Sequence, residues 1–154
     1  MKQSISFKNE DFLPEVLRLV NEGHTVTLPL RGVSMRPFLE DGRDKALLTK
    51  ATKPNIGDPV LAIIDKRYYV LHRVVGIEGD KVTLLGDGNL NPERCTINDI
   101  VASVVGFYRK GSRHLDSVEG RKWKTYSWIW TRLRPVRRWL LAFYCRVWLP
   151  LSNK

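Results

Sequence analysis

The hydrophobic positions of this chain change period early. From Asn9 to Gly23 the apolar residues Phe12, Leu13, Val16, Leu17 and Val20 fall three and four apart; acids open the segment, Pro14 sits near its start and Gly23 follows as a stop, which predicts one amphipathic helix. Beyond it the period shortens towards two. The segments 24–30, 45–50, 59–65, 68–77, 81–85 and 100–108 are short, rich in Val, Ile, Leu and Tyr, and bounded by Gly, Asp, Asn or Pro, so each reads as a strand. Asp65-Lys66-Arg67 and Glu78-Gly79-Asp80 are tight connections, which makes 59–85 a meander of hairpins. The expected class is mainly β within α+β: a coiled, barrel-like sheet with a short helix in front and a helical appendage behind.

Composition narrows this picture. With 154 residues, 43% hydrophobic and 27% charged, the chain is long enough for one buried core and too apolar for wholesale disorder. Its two cysteines, Cys95 and Cys145, make neither a disulfide scaffold nor a zinc cluster, and both are expected as free thiols. The opening MKQSISFKNEDF has no apolar core or small-residue cleavage site, and no apolar run approaches the roughly 18 residues of a membrane span, so a cytoplasmic location is expected.

The net charge of +10 is localised. Residues 1–108 carry 14 Lys+Arg against 14 Asp+Glu, while 109–154 carry 12 against 2 and hold all five tryptophans. This break divides the chain into a body, 1–108, a linker, 109–120, with no hydrophobic period, and a basic amphipathic tail, 121–154. Projected as a helix, Val136, Trp139, Leu140, Phe143, Tyr144, Val147 and Trp148 share one side and Arg134, Arg138 and Arg146 the other, with Pro135 interrupting the helix ahead of them. Aromatic on one face and arginine on the other suits a helix lying in a membrane interface. Trp139, Leu140, Phe143, Tyr144, Val147 and Trp148 are therefore the expected membrane-facing residues, in a peripheral contact on the inner face. Docking of the tail on the body or on a partner is the alternative; nucleic acid is not expected, because the aromatics are too segregated from the basic residues.

Candidate chemistry lies in the body. Gly32-Val33-Ser34-Met35-Arg36-Pro37 follows a strand and turns sharply, which can present a serine hydroxyl. Serine needs a base, and the body offers His24 and His72; His72 is the better candidate because it interrupts an apolar strand. A turn serine and an outward strand histidine would look the same in isolation.

The blocks GVSMRPFLEDGR, GDPVLA, YYVLHRVVGIEGDKVTLLGDGN and NDIVASVVGF, taken in order, resemble the serine peptidases that comprise type I signal peptidases and LexA-type self-cleaving repressors. The resemblance spans about Leu30 to Phe107. It implies Ser34 as nucleophile and, at the position where the bacterial members carry a lysine base, His72, as in the reticulum, archaeal and sporulation-type signal peptidases. It offers two acids to orient the imidazole, Asp87 in the GDGN block, which is preferred, and Glu93. Gly32 stands where many signal peptidases place an oxyanion-donating serine, so the oxyanion hole would rest on backbone N–H groups, with Gly32, Val33 and Met35 as the groove. The implied activity is serine endopeptidase action on a peptide or protein precursor, without metal or cofactor. An unperturbed histidine would set its pH midpoint at about 6 to 7, and an acidic partner would raise it. Two other readings remain: a non-catalytic module binding an extended peptide by strand addition, and a basic membrane- or nucleic-acid-binding protein.

Overall fold

A computed structural model describes residues 9–32 and 34–152. Helix α1, Asn9–Asn21, buries Leu13, Val16 and Val20, the three- and four-residue spacing read from the sequence, and stops two residues before Gly23. Among the described residues eight strands follow: β1 Val26–Pro29, β2 Lys45–Lys50, β3 Pro59–Ile64, β4 Tyr68–Glu78, β5 Lys81–Leu85, β6 Glu93–Thr96, β7 Ile100–Tyr108 and β8 Leu115–Ser117. Their order is β1-β2-β7-β3-β4-β5-β6, with β8 also on β7, and every pairing is antiparallel. Bulges at Leu47/Leu48, Leu61/Ala62 and Val74/Gly76 bend the strands, and the sheet curls into a half barrel.

The curl makes two apolar layers. One joins α1, β1, β2 and β7 to Met35, Phe38 and Leu39; the other joins Val60, Ala62 and Ile64 of β3 to Val74, Val82, Leu84 and Ile100. The first layer has a contributor from beyond the body. Helix α2, Arg121–Arg132, sends Trp123 into it at 2% exposure, 5.1 Å from both the Phe38 and Phe107 rings, while Tyr126 stacks on Phe38 at 4.5 Å. A buried tryptophan covers about 150–250 Å² and its truncation costs about 3–5 kcal/mol. The first part of the tail is thus core, because Trp123 and Tyr126 of α2 join the first layer and Trp130, one helical turn on, is buried over Asp87.

Residues 109–120, expected as a linker, contain β8, which pairs Leu115–Ser117 with Gly106–Tyr108. Helix α2 stops at Arg132, a 3-10 turn over Arg134–Val136 accommodates Pro135, and helix α3, Arg137–Phe143, resumes. A π-helical turn, Tyr144–Trp148, and a short helix α4, Leu149–Ser152, complete the described chain. Among the described residues no helix is long and apolar enough to cross a membrane.

Candidate active site

Ser34 and His72 line one cleft of about 290 Å³. One wall is the segment around Leu30, Gly32, Ser34 and Met35; the other is the first half of β4, Tyr69–His72, with Asn89 and Glu93 closing it. Val33 lies outside the described residues.

Strand geometry explains the placement. Successive side chains of β4 point to opposite faces, so His72 enters the cleft while Arg73 turns to the side covered by α2. Arg73 is fully buried and forms a bidentate pair with Asp87, Nε to Oδ1 and Nη2 to Oδ2, both 2.8 Å; Nη1 donates to Ser127 Oγ and to the Gly57 carbonyl at 3.3 Å. Burial alone would lower the Arg73 pKa, but the hydrogen bonds and charge of Asp87 outweigh it and raise it. From α2, the Tyr126 hydroxyl donates to Asp87 Oδ2 at 2.8 Å and Trp130 Nε1 to the Asp87 carbonyl at 3.0 Å.

Asp87, the acid preferred from the sequence, is thus held by groups other than the histidine. Both Asp87 oxygens are engaged by Arg73 and Tyr126, so its carboxylate anchors the turn. The acid beside the histidine is Glu93, whose Oε2 stands 3.1 Å from His72 Nδ1; both atoms are buried, and among the described residues neither has another partner. Glu93 opens β6, and it reaches His72 because β5 ends at Leu85, opposite Arg73, leaving the flank of His72 uncovered.

The Gly86–Asn89 turn brings the pieces together. The Gly88 N–H donates to the Ser34 carbonyl at 2.7 Å, and the Asn89 N–H to the Gly86 carbonyl at 2.9 Å. A Cβ on Gly86 would stand 2.5 Å from the Ser34 carbonyl oxygen, 2.8 Å from Asn89 Nδ2 and 3.0 Å from His72 Nε2. Only glycine lets these three groups converge. The sequence reading singled out neither Gly86 nor Asn89, although the GDGN block carried both.

Burial lowers the His72 pKa below its ordinary value, and the charge of Glu93 and its contact with the ring offset this only in part. The balance runs opposite to the expected acid-driven rise. Burial thus favours the neutral ring, and a proton carried on Nδ1, facing Glu93, would leave the Nε2 lone pair towards the cleft. No hydrogen bond joins the Ser34 hydroxyl to the ring in this conformation. Gly32 remains a cleft wall, but its N–H is committed to Asp41 Oδ1 at 2.7 Å and does not donate to the cleft. Met35 lines the cleft from within the core at 5% exposure, and His24 is exposed and away from it.

Arg36 pairs with Glu40 at 3.0 Å, and Glu40 also accepts from the Tyr144 hydroxyl at 2.7 Å, which ties the tail to the rim of the cleft. No model of a known protein family matches the chain, and no curated protein matches it either.

Proposed function

We propose that the chain is a serine endopeptidase with Ser34 as nucleophile, His72 as general base and Glu93 as the group that orients the imidazole, on a fold of the signal peptidase and LexA type. The observation that carries this reading is the convergence of the Ser34 carbonyl, the buried His72 ring and the Asn89 side chain on Gly86, with Ser34 and His72 lining one cleft and Glu93 on the far nitrogen of the ring. On attack, Ser34 Oγ bonds to the scissile carbonyl carbon and its proton passes to His72 Nε2. Glu93 stabilises the imidazolium so formed, which then protonates the leaving amine. Water, deprotonated by the same nitrogen, releases the acyl group and regenerates the serine.

Asn89 Nδ2 and the Ser34 N–H are the donors at hand for the oxyanion, a function worth about 2.7 to 4 kcal/mol per donor. Catalytic hydrogen bonds commonly tighten only with substrate present, so an unbonded Ser34 hydroxyl is compatible with this role. The substrate would be extended. Tyr68–His72 pair with β3 on one side, whereas β5 pairs only with Arg73–Glu78 on the other, so the first half of β4 offers a free edge along the cleft.

That free edge, together with the unbonded hydroxyl, also favours a second reading, a module that binds an extended peptide without cleaving it. Digestion of a peptide library decides between them. Cleavage lost to a similar extent in Ser34→Ala and His72→Ala, with the double variant little worse, supports the peptidase, because members of one catalytic unit are not additive. Retained peptide binding with no cleavage by the wild-type protein supports the second reading.

A further inference from the structure

The tail leaves one face uncovered. Trp139 is 71% exposed, Phe143 60% and Leu151 64%; with Val147 they fall four residues apart, a spacing that the π-helical turn keeps in line, and Trp148 at 57% widens the stripe. This departs from the face expected on sequence. Leu140 and Tyr144 are partly buried, with Tyr144 held on Glu40, whereas Leu151 joins the outward set.

The stripe does not fold back because the opposite side is fastened. Arg137 is buried with its guanidinium 5.2 Å from the Trp130 ring centroid and donating to the Trp130 carbonyl at 3.3 Å, and the Tyr144 hydroxyl donates to Glu40. Within the tail itself the charge has one sign. Arg134, Arg138 and Arg146 are exposed, Arg138 lies 5.7 Å from the Trp139 ring centroid, and no acid occurs between Arg121 and Lys154.

We propose that this face seats on an anionic lipid bilayer surface, with the aromatic and aliphatic side chains in the interface and the arginines on the head groups. Charge selects this occupant. A second copy would bring two surfaces of the same sign together, which is repulsive, whereas anionic head groups neutralise the arginines while tryptophan and phenylalanine lose contact with water. Since Glu40 lines the cleft and holds Tyr144, docking would bring the cleft close to the bilayer, within reach of extended peptide at its surface. The lipid contact stands independently of the peptidase reading.

Co-sedimentation of the full chain with phosphatidylcholine vesicles containing about a quarter phosphatidylglycerol tests it, with phosphatidylcholine alone as the comparison. The expected results are binding to the anionic vesicles, a blue shift of tryptophan emission, and weakening by salt. Phe143→Glu with Leu151→Glu should reduce the partitioning by about an order of magnitude, and Arg138→Glu with Arg146→Glu by a similar factor. All four positions are exposed, so thermal melting and serine labelling in solution should match the parent. Any of these results would overturn the proposal: no binding to anionic vesicles; binding that the apolar variants leave unchanged; or a homodimer by light scattering that Phe143→Glu dissociates. Preferential binding of duplex DNA, undiminished by Phe143→Glu, would assign the basic residues to nucleic acid and would also overturn it.

Discussion

Gly86→Ala is the sharpest single perturbation of the site. The added methyl would lie 2.5 Å from the Ser34 carbonyl oxygen, a backbone atom itself fixed by the Gly88 N–H at 2.7 Å, so neither group can rotate aside as a flexible side chain could. Relief requires the serine segment to move by about 1 Å relative to His72, and a misplacement of that size costs about 10²-fold in rate. The overpacking also destabilises by about 1–3 kcal/mol, where each kcal/mol is about 2–4 °C in Tm for a chain of this length.

The assay pairs the rate of labelling by a fluorophosphonate with a melting curve. Gly79→Ala serves as the control. Gly79 has φ of 59° in the β4–β5 turn with open space around it, so alanine there should lose about 1–2 kcal/mol to backbone strain and leave the labelling rate unchanged. A Gly86→Ala protein that labels at the parent rate would refute the convergence on which the site is built.

Activity should rise with pH through a midpoint below 6.5, because burial holds the folded His72 pKa below that value; a pH–rate profile checks it, and Glu93→Gln should move the midpoint lower still. The same depression means that the contribution of His72 to stability is complete above pH 6.5 and is lost as pH falls through the folded value, which denaturant titrations across that window measure. Asp87→Asn should cost about 3–5 kcal/mol by leaving buried Arg73 without its counter-charge, whereas Glu93→Gln should reduce turnover with little change in melting. Truncation after Gly120 uncovers the Trp123 site and should unfold or severely destabilise the body, as circular dichroism would show; Trp123→Ala alone should cost about 3–5 kcal/mol.

Much of this architecture was legible in the chain because periodicity reports burial directly. The α1 stripe and the alternation in β2 and β7 are each set by one buried face. Strands β6 and β8 escaped because Glu-Arg-Cys-Thr and Leu-Asp-Ser are too short and too polar to show a period; their pairing is imposed by neighbouring strands. Ser34 and His72 were visible as residue types out of place. The choice between Asp87 and Glu93 was not, since it depends on where β5 ends and on Arg73 claiming both Asp87 oxygens from the opposite face of β4.

The tail shows the same limit in another form. Helical spacing identified its apolar stripes, but not which of them the sheet would cover. Trp123 and Trp130 of α2 went to the body, and Trp139 and Phe143 of α3 were left outside.

The central claim is that Ser34 is a nucleophile activated by His72, and the most direct measurement is intact-mass and peptide-mapping analysis after reaction with a fluorophosphonate. The account predicts one covalent adduct located on Ser34, absent in Ser34→Ala, which should melt close to the parent, and strongly slowed in His72→Ala at a temperature where that variant is still folded. A parent protein that forms no adduct, or an adduct that persists in Ser34→Ala, would contradict it.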